Sequence, residues 1–549
     1  MHRVESSNYT VVDGKNQYTN GPPATTVSDK WLNSVQEEIA NVVEGAGLVL
    51  KSAATDTVQN QMWQALQSFF TTYDYVVSTQ VGFNSIIERV GANNYKIKDE
   101  YKSVFVKNVT GGFACQGALS FLSGGDSWGY IETNNCSTLS FEAGAYLGVG
   151  DTAFYLEVNT DDARLTNVDI RGIGTTATAG TRSFYLQANN VTFDRCRTQD
   201  RKVSSTFYSF QGSATDAHNL TSQYSGCQVM GIEGVTINIV AFYLCHNIKN
   251  AYVTTLSSSA GGQLFAFSYC ERVTDSYASG FTSATGAVYG ISNCSFVSGC
   301  TIKTMDSTSA NIYGIRDSKY ISNCLLDDLD TAGLIYGVRD SSFISGCNLK
   351  ALTSSNNNVE GMFQCYQISA CKIEDLDSPA IVYGFDACNQ ISACKVEDLD
   401  STGDAVYGFY SCNQISACYA YDIQTTANAS AIGFSTCKQL TGCQAKQIDC
   451  TNAGGGDATG FVSCQTISAC FADDIDANGG NAIGFNACTV MTSCYPNDVD
   501  SSGGTAWGFL SCTYGAALFT SEGVNAGCDW IDTVDAQITN KVSTPNVWT

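Results

Sequence analysis

The amino-acid sequence predicts an all-β solenoid, a right-handed parallel β-helix built from coils of about 24 residues. Three observations support this prediction. A glycine recurs at intervals of 23 to 27 residues, apolar residues recur at fixed distances from it, and Ser, Asn, Asp and Gly lie between them. The recurring glycines are Gly290, Gly314, Gly337, Gly361, Gly384, Gly408, Gly433, Gly460, Gly484 and Gly508, and the series continues backwards with Ala266 and Ala241.

Alignment on the repeat glycine shows three apolar columns. One residue after the glycine the later coils carry Phe, as in Phe385 and Phe409; seven residues after it they carry mostly Ile, and fifteen residues after it Leu or Ile. These columns predict three short strands per coil that share one interior. A helical solenoid is rejected, because every coil has a glycine inside the pattern and lacks the roughly 10 to 12 residues of an amphipathic helix.

Composition and charge limit the possible partners. The chain has 549 residues, of which 44% are hydrophobic and 15% charged, and its formal net charge is -24. We therefore expect no nucleic-acid partner, because phosphate backbones would be repelled. No apolar run is long enough to cross a bilayer, so no membrane insertion is expected. Residues 1–5 lack the pattern of a signal peptide, which predicts synthesis in the cytoplasm. We also expect no cofactor.

Most of the 25 cysteines occupy two positions of the repeat, four and ten residues after the glycine. We predict two ladders of buried, reduced thiols, because a thiol behaves as a small hydrophobe and cytoplasmic thiols stay reduced. Five residues separate the two positions and the chain has 3 His, which disfavours a zinc site. Partial disulfide formation after cell lysis and metal binding remain as alternatives. The ladder residues are Cys294, Cys300, Cys324, Cys347, Cys365, Cys371, Cys388, Cys394, Cys412, Cys418, Cys437, Cys443, Cys464, Cys470, Cys488 and Cys494.

The chain divides into five segments. Residues 1–70 are predicted to be helical, with Ser28 as an N-cap and Trp31, Val35 and Ile39 on one stripe. The other segments are a β-rich neck with the first coils, irregular coils, regular coils that carry the cysteine ladders, and a C-terminal cap, at 71–150, 151–285, 286–515 and 516–549.

Residues 23–42, which include Trp31-Leu32-Asn33-Ser34-Val35-Gln36-Glu37-Glu38, closely resemble the N-terminal attachment segment of bacteriophage tail fibre proteins. The match covers about 50 residues, and the β-helix behind it is typical of tailspikes. The resemblance implies a homotrimer in the virion tail that joins tail or baseplate proteins through residues 1–70. It also implies that the rod binds a receptor on the host surface, a polysaccharide in our interpretation.

Whether such a subunit cleaves the polysaccharide stays open. A non-enzymatic adhesin is the first interpretation, a depolymerase of the glycoside hydrolase or lyase type the second, and a purely structural surface solenoid the third. The catalytic residues are unknown; Asp161, Asp162, Asp194 and Asp200 are candidates, because irregular coils can carry the loops that wall a cleft. The repeated Asp398-Leu399-Asp400 motif should point Leu inward and both acids outward, as a solvated face, a weak Ca²⁺ site or a catalytic pair.

Tyrosines that precede the repeat glycine are the predicted ligand-binding residues. By strand alternation they point away from the interior, so an exposed stripe is expected. An aromatic stripe suits the face of a sugar, but it equally suits a subunit interface. The five residues are Tyr289, Tyr313, Tyr336, Tyr383 and Tyr407.

Overall fold

The structure, a computed structural model, describes residues 9–12, 15–18, 73, 75–91, 94–107, 113–114, 129–149, 154–173, 177, 182–212 and 222–516. It is a parallel β-solenoid of about 15 turns of about 24 residues with almost no helix, which confirms the predicted fold class. Its handedness stays a prediction. The helices predicted within residues 1–70 and the predicted cap after residue 516 lie outside the described residues. The part of residues 1–70 that the structure describes is an antiparallel hairpin of Tyr9–Val12 and Lys15–Tyr18.

Sheet 1 contains the strands that carry the repeat glycine. Its first two strands pair antiparallel and all later neighbours pair parallel. The strands are Ile87–Arg89, Asn94–Ile97, Gly129–Glu132, Phe154–Val158, Arg182–Leu186, Phe207–Gln211, Ile239–Tyr243, Leu264–Ser268, Val288–Ser292, Ile312–Arg316, Ile335–Arg339, Val359–Phe363, Val382–Asp386, Val406–Tyr410, Ala431–Ser435, Ala458–Val462, Ala482–Asn486 and Ala506–Leu510.

Sheet 2 contains strands of three or four residues and follows sheet 1 in each coil. Its parallel pairing begins at Tyr75–Val77, so the segment before residue 150 already contributes coils to the solenoid. The strands are Tyr75–Val77, Ser103–Val106, Thr138–Phe141, Arg164–Thr166, Thr192–Asp194, Gln223–Ser225, Asn247–Lys249, Arg272–Thr274, Phe296–Ser298, Lys319–Ser322, Ser342–Ser345, Tyr366–Ser369, Asn389–Ser392, Asn413–Ser416, Gln439–Thr441, Thr466–Ser468, Val490–Thr492 and Tyr514–Ala516.

Sheet 3 completes each coil with strands that are mostly seven residues long. The strands are Phe113–Ala114, Leu147–Val149, Asp169–Gly172, Arg197–Gln199, Lys202–Val203, Gln228–Gly234, Tyr252–Ser258, Tyr277–Ser283, Thr301–Ser307, Leu325–Thr331, Asn348–Ser354, Lys372–Ser378, Lys395–Ser401, Tyr419–Thr425, Gln444–Cys450, Phe471–Ala477 and Tyr495–Ser501. One short helix, α1, spans Gln80–Ile86 and is capped by the Thr79 side chain. No helix of the described part of the chain is long and apolar enough to cross a membrane.

The interior consists of in-register ladders of like side chains. Phe385, Phe409 and Phe434 stack with ring centroids 4.8 and 4.7 Å apart, close to the strand spacing of about 4.8 Å that sets the rise of each coil. Ile391 and Leu399, which belong to the other two apolar columns, are also buried. The three apolar columns predicted from the repeat therefore form one continuous core, and sheet burial is the main source of stability.

Both cysteine ladders lie at corners of this core. Every cysteine of the described residues is a buried, free thiol. The thiols also complete the backbone hydrogen bonding: the Cys365 N–H donates to Cys388 Sγ at 3.4 Å, and Cys388 Sγ donates to the Met362 carbonyl at 3.3 Å. Burial raises the pKa of the Cys388 thiol, which keeps it protonated. The ladder is thus a hydrogen-bonded element of the corner.

Serine replaces cysteine at the same corner in two coils and makes the same bond. The Cys294 N–H donates to Ser318 Oγ and the Ser318 N–H donates to Ser341 Oγ, both at 3.1 Å. We therefore expect Cys388→Ser to change the free energy of unfolding by less than about 1 kcal/mol. Cys388→Ala should lower it by about 1 to 3 kcal/mol, because the Cys365 N–H loses its acceptor. Urea titrations of both variants measure the difference, and equal losses would show that only side-chain volume matters.

Candidate functional site

The five predicted tyrosines form one column on the outer side of sheet 1, here called the tyrosine ladder. Tyr289 pairs in register with Tyr313, which pairs with Tyr336. Their ring centroids are 4.8 and 5.3 Å apart and the planes differ by 5 and 8°. Tyr383 and Tyr407 stack at 5.2 Å. The structure therefore brings these side chains into two stacks on one face.

The expected exposure of the tyrosine stripe is wrong for its first three members. Tyr289, Tyr313 and Tyr336 are each only 7% exposed, while Tyr383 and Tyr407 are half-buried. The reason is the rise of the solenoid: each coil places the next ring within stacking distance, so a ring covers its neighbour's faces. A sugar cannot stack on faces that are already occupied, so the ladder offers ring edges and hydroxyl groups instead.

Two arginines line the tyrosine ladder in the neighbouring outer column. The Arg316 guanidinium lies 5.0 Å from the Tyr313 ring centroid, and the Arg339 guanidinium lies 4.5 Å from that of Tyr336. Arg316 pairs with Asp317 at 3.0 Å, which fixes its direction. These arginines were not predicted from the sequence. Their signal was a pair of Arg residues two positions after the glycine in successive coils, Gly314 and Gly337.

A groove of about 350 Å³ opens at the N-terminal end of the tyrosine ladder and is here called the sheet-1 groove. Aromatic rings, amides and one ion pair line it. Tyr243 and Tyr269 meet edge to face with centroids 5.8 Å apart, and Tyr269 is 54% exposed. Other lining residues are Tyr208, Asn238, Gln263, Phe265, Asn293, Arg316 and Asp317. Its volume falls in the range of small-molecule sites.

The chemistry of the sheet-1 groove suits a ligand rich in hydroxyl groups. Amide side chains such as Asn293 both donate and accept hydrogen bonds, and the Arg316–Asp317 pair adds a charged donor beside a charged acceptor. The exposed ring of Tyr269 supplies the apolar surface that the stacked ladder tyrosines cannot. The groove spans the boundary between the irregular and the regular coils, where the repeat changes.

One carboxyl group, that of Glu360, interrupts the tyrosine ladder, and a second, that of Asp386, lies in the neighbouring outer column. Glu360 takes the ladder position between Tyr336 and Tyr383 and is 7% exposed, and its Oε2 has no hydrogen-bond partner among the described residues. Burial and the nearby Asp386 carboxylate raise the pKa of Glu360 to about 8. Burial raises the pKa of Asp386 to about 6. At neutral pH the two groups therefore differ in charge, Glu360 being a neutral acid and Asp386 a carboxylate.

The aspartates proposed as catalytic candidates lie apart and make local bonds. Asp161 accepts the Asn189 N–H at 2.8 Å and Asp162 accepts the Asn190 side-chain amide at 2.6 Å, before the sheet 2 strand of their coil. Asp194 belongs to sheet 2 and pairs with Arg195 at 3.3 Å. Asp200 follows a strand of sheet 3. The structure does not bring these four side chains together into one site.

The repeated acidic motif forms an outward column on sheet 3. Leu399 is buried and Asp398 and Asp400 are exposed, as predicted. Partial desolvation of its carboxyl group and the neighbouring carboxylates raise the pKa of Asp400 to about 6, although the side chain still reaches solvent. A groove of about 400 Å³ lies beside Asp449 and Asp476 on the same sheet. Within the described ranges, no group of three or more His, Cys, Asp or Glu side chains is arranged to hold a metal ion.

Comparison with known proteins gives a distant likeness to solved structures. No family model matches the chain, and no curated protein matches it. Among solved structures it is similar to the periplasmic alginate epimerase AlgG, with 8% identity and a TM-score of 0.21 over 81% of this chain and 83% of the epimerase. A substituted form of the same epimerase gives 9% identity and a TM-score of 0.14 over the same shares. These values carry no statement about what this chain binds.

Proposed function

We propose that the chain is a phage tail fibre or tailspike-like subunit whose solenoid binds a polysaccharide of the host surface. The observation that supports polysaccharide binding is the sheet-1 groove. In this groove the exposed Tyr269 lies beside Tyr243, several amides and the Arg316–Asp317 pair. Aromatic surface together with polar groups that both donate and accept is the chemistry that recognises sugar rings. The resemblance of residues 23–42 to tail fibre attachment segments supports the proposal that the chain is a subunit of the virion.

Attachment and location remain proposals that rest on that resemblance. Residues 1–70 would join the subunit to tail or baseplate proteins, and the solenoid would extend from the virion towards the host. Solenoid coils are stabilised mainly by their neighbours. An attachment segment and a binding rod can therefore coexist in one chain without sharing a core.

The binding proposal predicts a local effect of aromatic removal. Tyr269→Ala should weaken binding to lipopolysaccharide or capsule purified from the host by about tenfold, since the loss of one buried aromatic contact costs about 1 to 2 kcal/mol. Tyr252→Ala is the matched control, because Tyr252 is 48% exposed but lies on sheet 3. Calorimetry or surface plasmon resonance measures both affinities. Equal losses, or none for Tyr269→Ala, would contradict the assigned groove.

Cleavage of the polysaccharide is the second candidate function, and the Glu360–Asp386 pair is the observation that favours it. A neutral acid beside a carboxylate is the arrangement by which glycosidases protonate a leaving oxygen and assist the attacking group. The burial of Glu360 counts against free access of a substrate. Incubation of the protein with host polysaccharide and detection of new reducing ends decides between binding and cleavage. A lyase would in addition produce an unsaturated sugar that absorbs ultraviolet light, and a hydrolase would not.

A further inference from the structure

A second aromatic stack, distinct from the tyrosine ladder, lies on the outer side of sheet 2. Phe296, Tyr320 and Phe343 stack with ring centroids 4.9 and 4.8 Å apart. They are 39, 47 and 43% exposed, whereas Tyr289, Tyr313 and Tyr336 of sheet 1 are each 7% exposed. Three successive exposed aromatic rings are unusual for a free surface, and exposed apolar patches commonly mark interfaces.

The same column continues with amides. The buried Ile321, Ile344, Ile368 and Ile391 pair in register along sheet 2, which aligns the residue before each of them. After the three aromatic residues, that column holds Gln367, Gln390, Gln414 and Gln439. Its seven coils span about 30 Å at about 4.8 Å per coil. We call this outer side of sheet 2, from Phe296 to Gln439, the neutral face.

Charge separates the neutral face from the rest of the molecule. The sheet 2 strands from Phe296–Ser298 to Gln439–Thr441 contain one charged residue, Lys319. Sheet 3, in contrast, carries the acidic columns, and the chain has a formal net charge of -24. Two copies of such a chain repel each other through their acidic surfaces. The neutral face is where identical copies can approach without that cost.

We propose that the neutral face is the interface between copies of this chain, which align parallel and in register. Identical amides can pair with each other, because each carries both donors and an acceptor. Parallel alignment sets the aromatic half of one copy against the aromatic half of the next, and amides against amides. Antiparallel alignment would set Phe296 against Gln439 and leave amides without partners. The symmetry axis therefore runs along the rod, as in a cyclic oligomer.

The full-length chain tests this proposal by light scattering at micromolar concentration. The wild type should be an oligomer, with a mass at least twice the 58.5 kDa of one chain. The variant Tyr320→Lys/Phe343→Lys should have a mass near 58.5 kDa. The matched control is Tyr252→Lys/Tyr419→Lys, because these tyrosines are 48 and 43% exposed but belong to sheet 3. The control should keep the mass of the wild type.

A second variant protects the test against a folding defect. Gln390→Glu/Gln414→Glu leaves the aromatic stack intact and places like charges face to face, so it should also give a monomer with the circular dichroism of the wild type. A wild type near 58.5 kDa, an oligomer that survives both neutral-face variants, or a control that dissociates as well would each overturn the proposal. A monomeric wild type whose neutral-face variants lose glycan binding would instead make this face a sugar site.

Discussion

Gly314→Ala should destabilise the solenoid by about 3 kcal/mol, a large part of the stability of a typical domain. A Cβ at Gly314 would lie 2.0 Å from Leu326 Cδ2 and 2.5 Å from the Gly337 carbonyl oxygen. Leu326 is fully buried and the carbonyl belongs to the next coil, so neither atom can withdraw without moving the core. Urea denaturation followed by circular dichroism measures the loss.

Gly442→Ala is the matched control for this prediction. Gly442 has a φ of +62°, and a Cβ at this residue would have no heavy atom within 4 Å. Ala393 and Ala417 occupy the same corner in other coils with φ of 51 and 50°. Only the left-handed backbone penalty of about 1 to 2 kcal/mol should therefore remain. If both glycine variants lost the same stability, the close contacts around Gly314 would not explain the regular spacing of the repeat glycine.

The coils that already carry alanine at this position agree with the steric explanation. Ala266 and Ala241 replace the glycine, and the residue twelve positions later is Ala278 or Val253. In the coil of Gly314 that residue is the larger Leu326. In both coils that carry a Cβ at this position the facing side chain is smaller than Leu326, as a close-packed interior requires. A small facing residue is not sufficient, because Gly408 faces Ala420 and a Cβ there would still lie 2.7 Å from the Gly433 carbonyl oxygen.

The sequence predicted the interior better than the outer faces. The three apolar columns repeat through the regular coils, and a repeat of about 24 residues with short apolar pieces permits few architectures. The exposure of Tyr289 could not be predicted, because alternation gives the side of the sheet but not how neighbouring rings cover each other. The ladder position of Glu360 was readable as a Glu among tyrosines, but its burial depends on the three-dimensional stack.

The sheet-1 groove and the neutral face could not be predicted from the sequence, for different reasons. Tyr269 can be aligned through Ala266, three residues before it, but the alignment does not show that its ring is exposed and lies edge to face with Tyr243. Phe296, Tyr320 and Phe343 do fall in the repeat, one residue before a core position, but only the structure shows that their ring edges stay uncovered. The sequence therefore shows where a residue departs from the repeat, but the neighbouring side chains determine whether that residue is exposed.

Glu360→Gln should make the protein more stable at alkaline pH and leave its stability nearly unchanged at pH 5. The pKa of Glu360 is about 8 in the folded chain, whereas a glutamate in an unfolded chain has a pKa near 4.3, so folding favours the protonated form. The stability of the wild type should therefore fall as the pH rises from about 4.3 to about 8 and then level off. Asp386 adds to this fall, because its pKa is raised to about 6, and Arg339 opposes it by favouring the charged form of Glu360.

Urea titrations at pH 5 and pH 9 measure this difference. At pH 9 the wild type must hold a buried carboxylate with an unpaired Oε2, so the glutamine variant should gain on the order of 3 kcal/mol. Glu233→Gln is the control, since Glu233 is exposed and pairs with Lys202 at 3.7 Å; its pH dependence should match that of the wild type. A Glu360→Gln variant that tracks the wild type at both pH values would mean that Glu360 is ionised and solvated in the folded chain. Such a group could not supply the proton that polysaccharide cleavage by this pair requires.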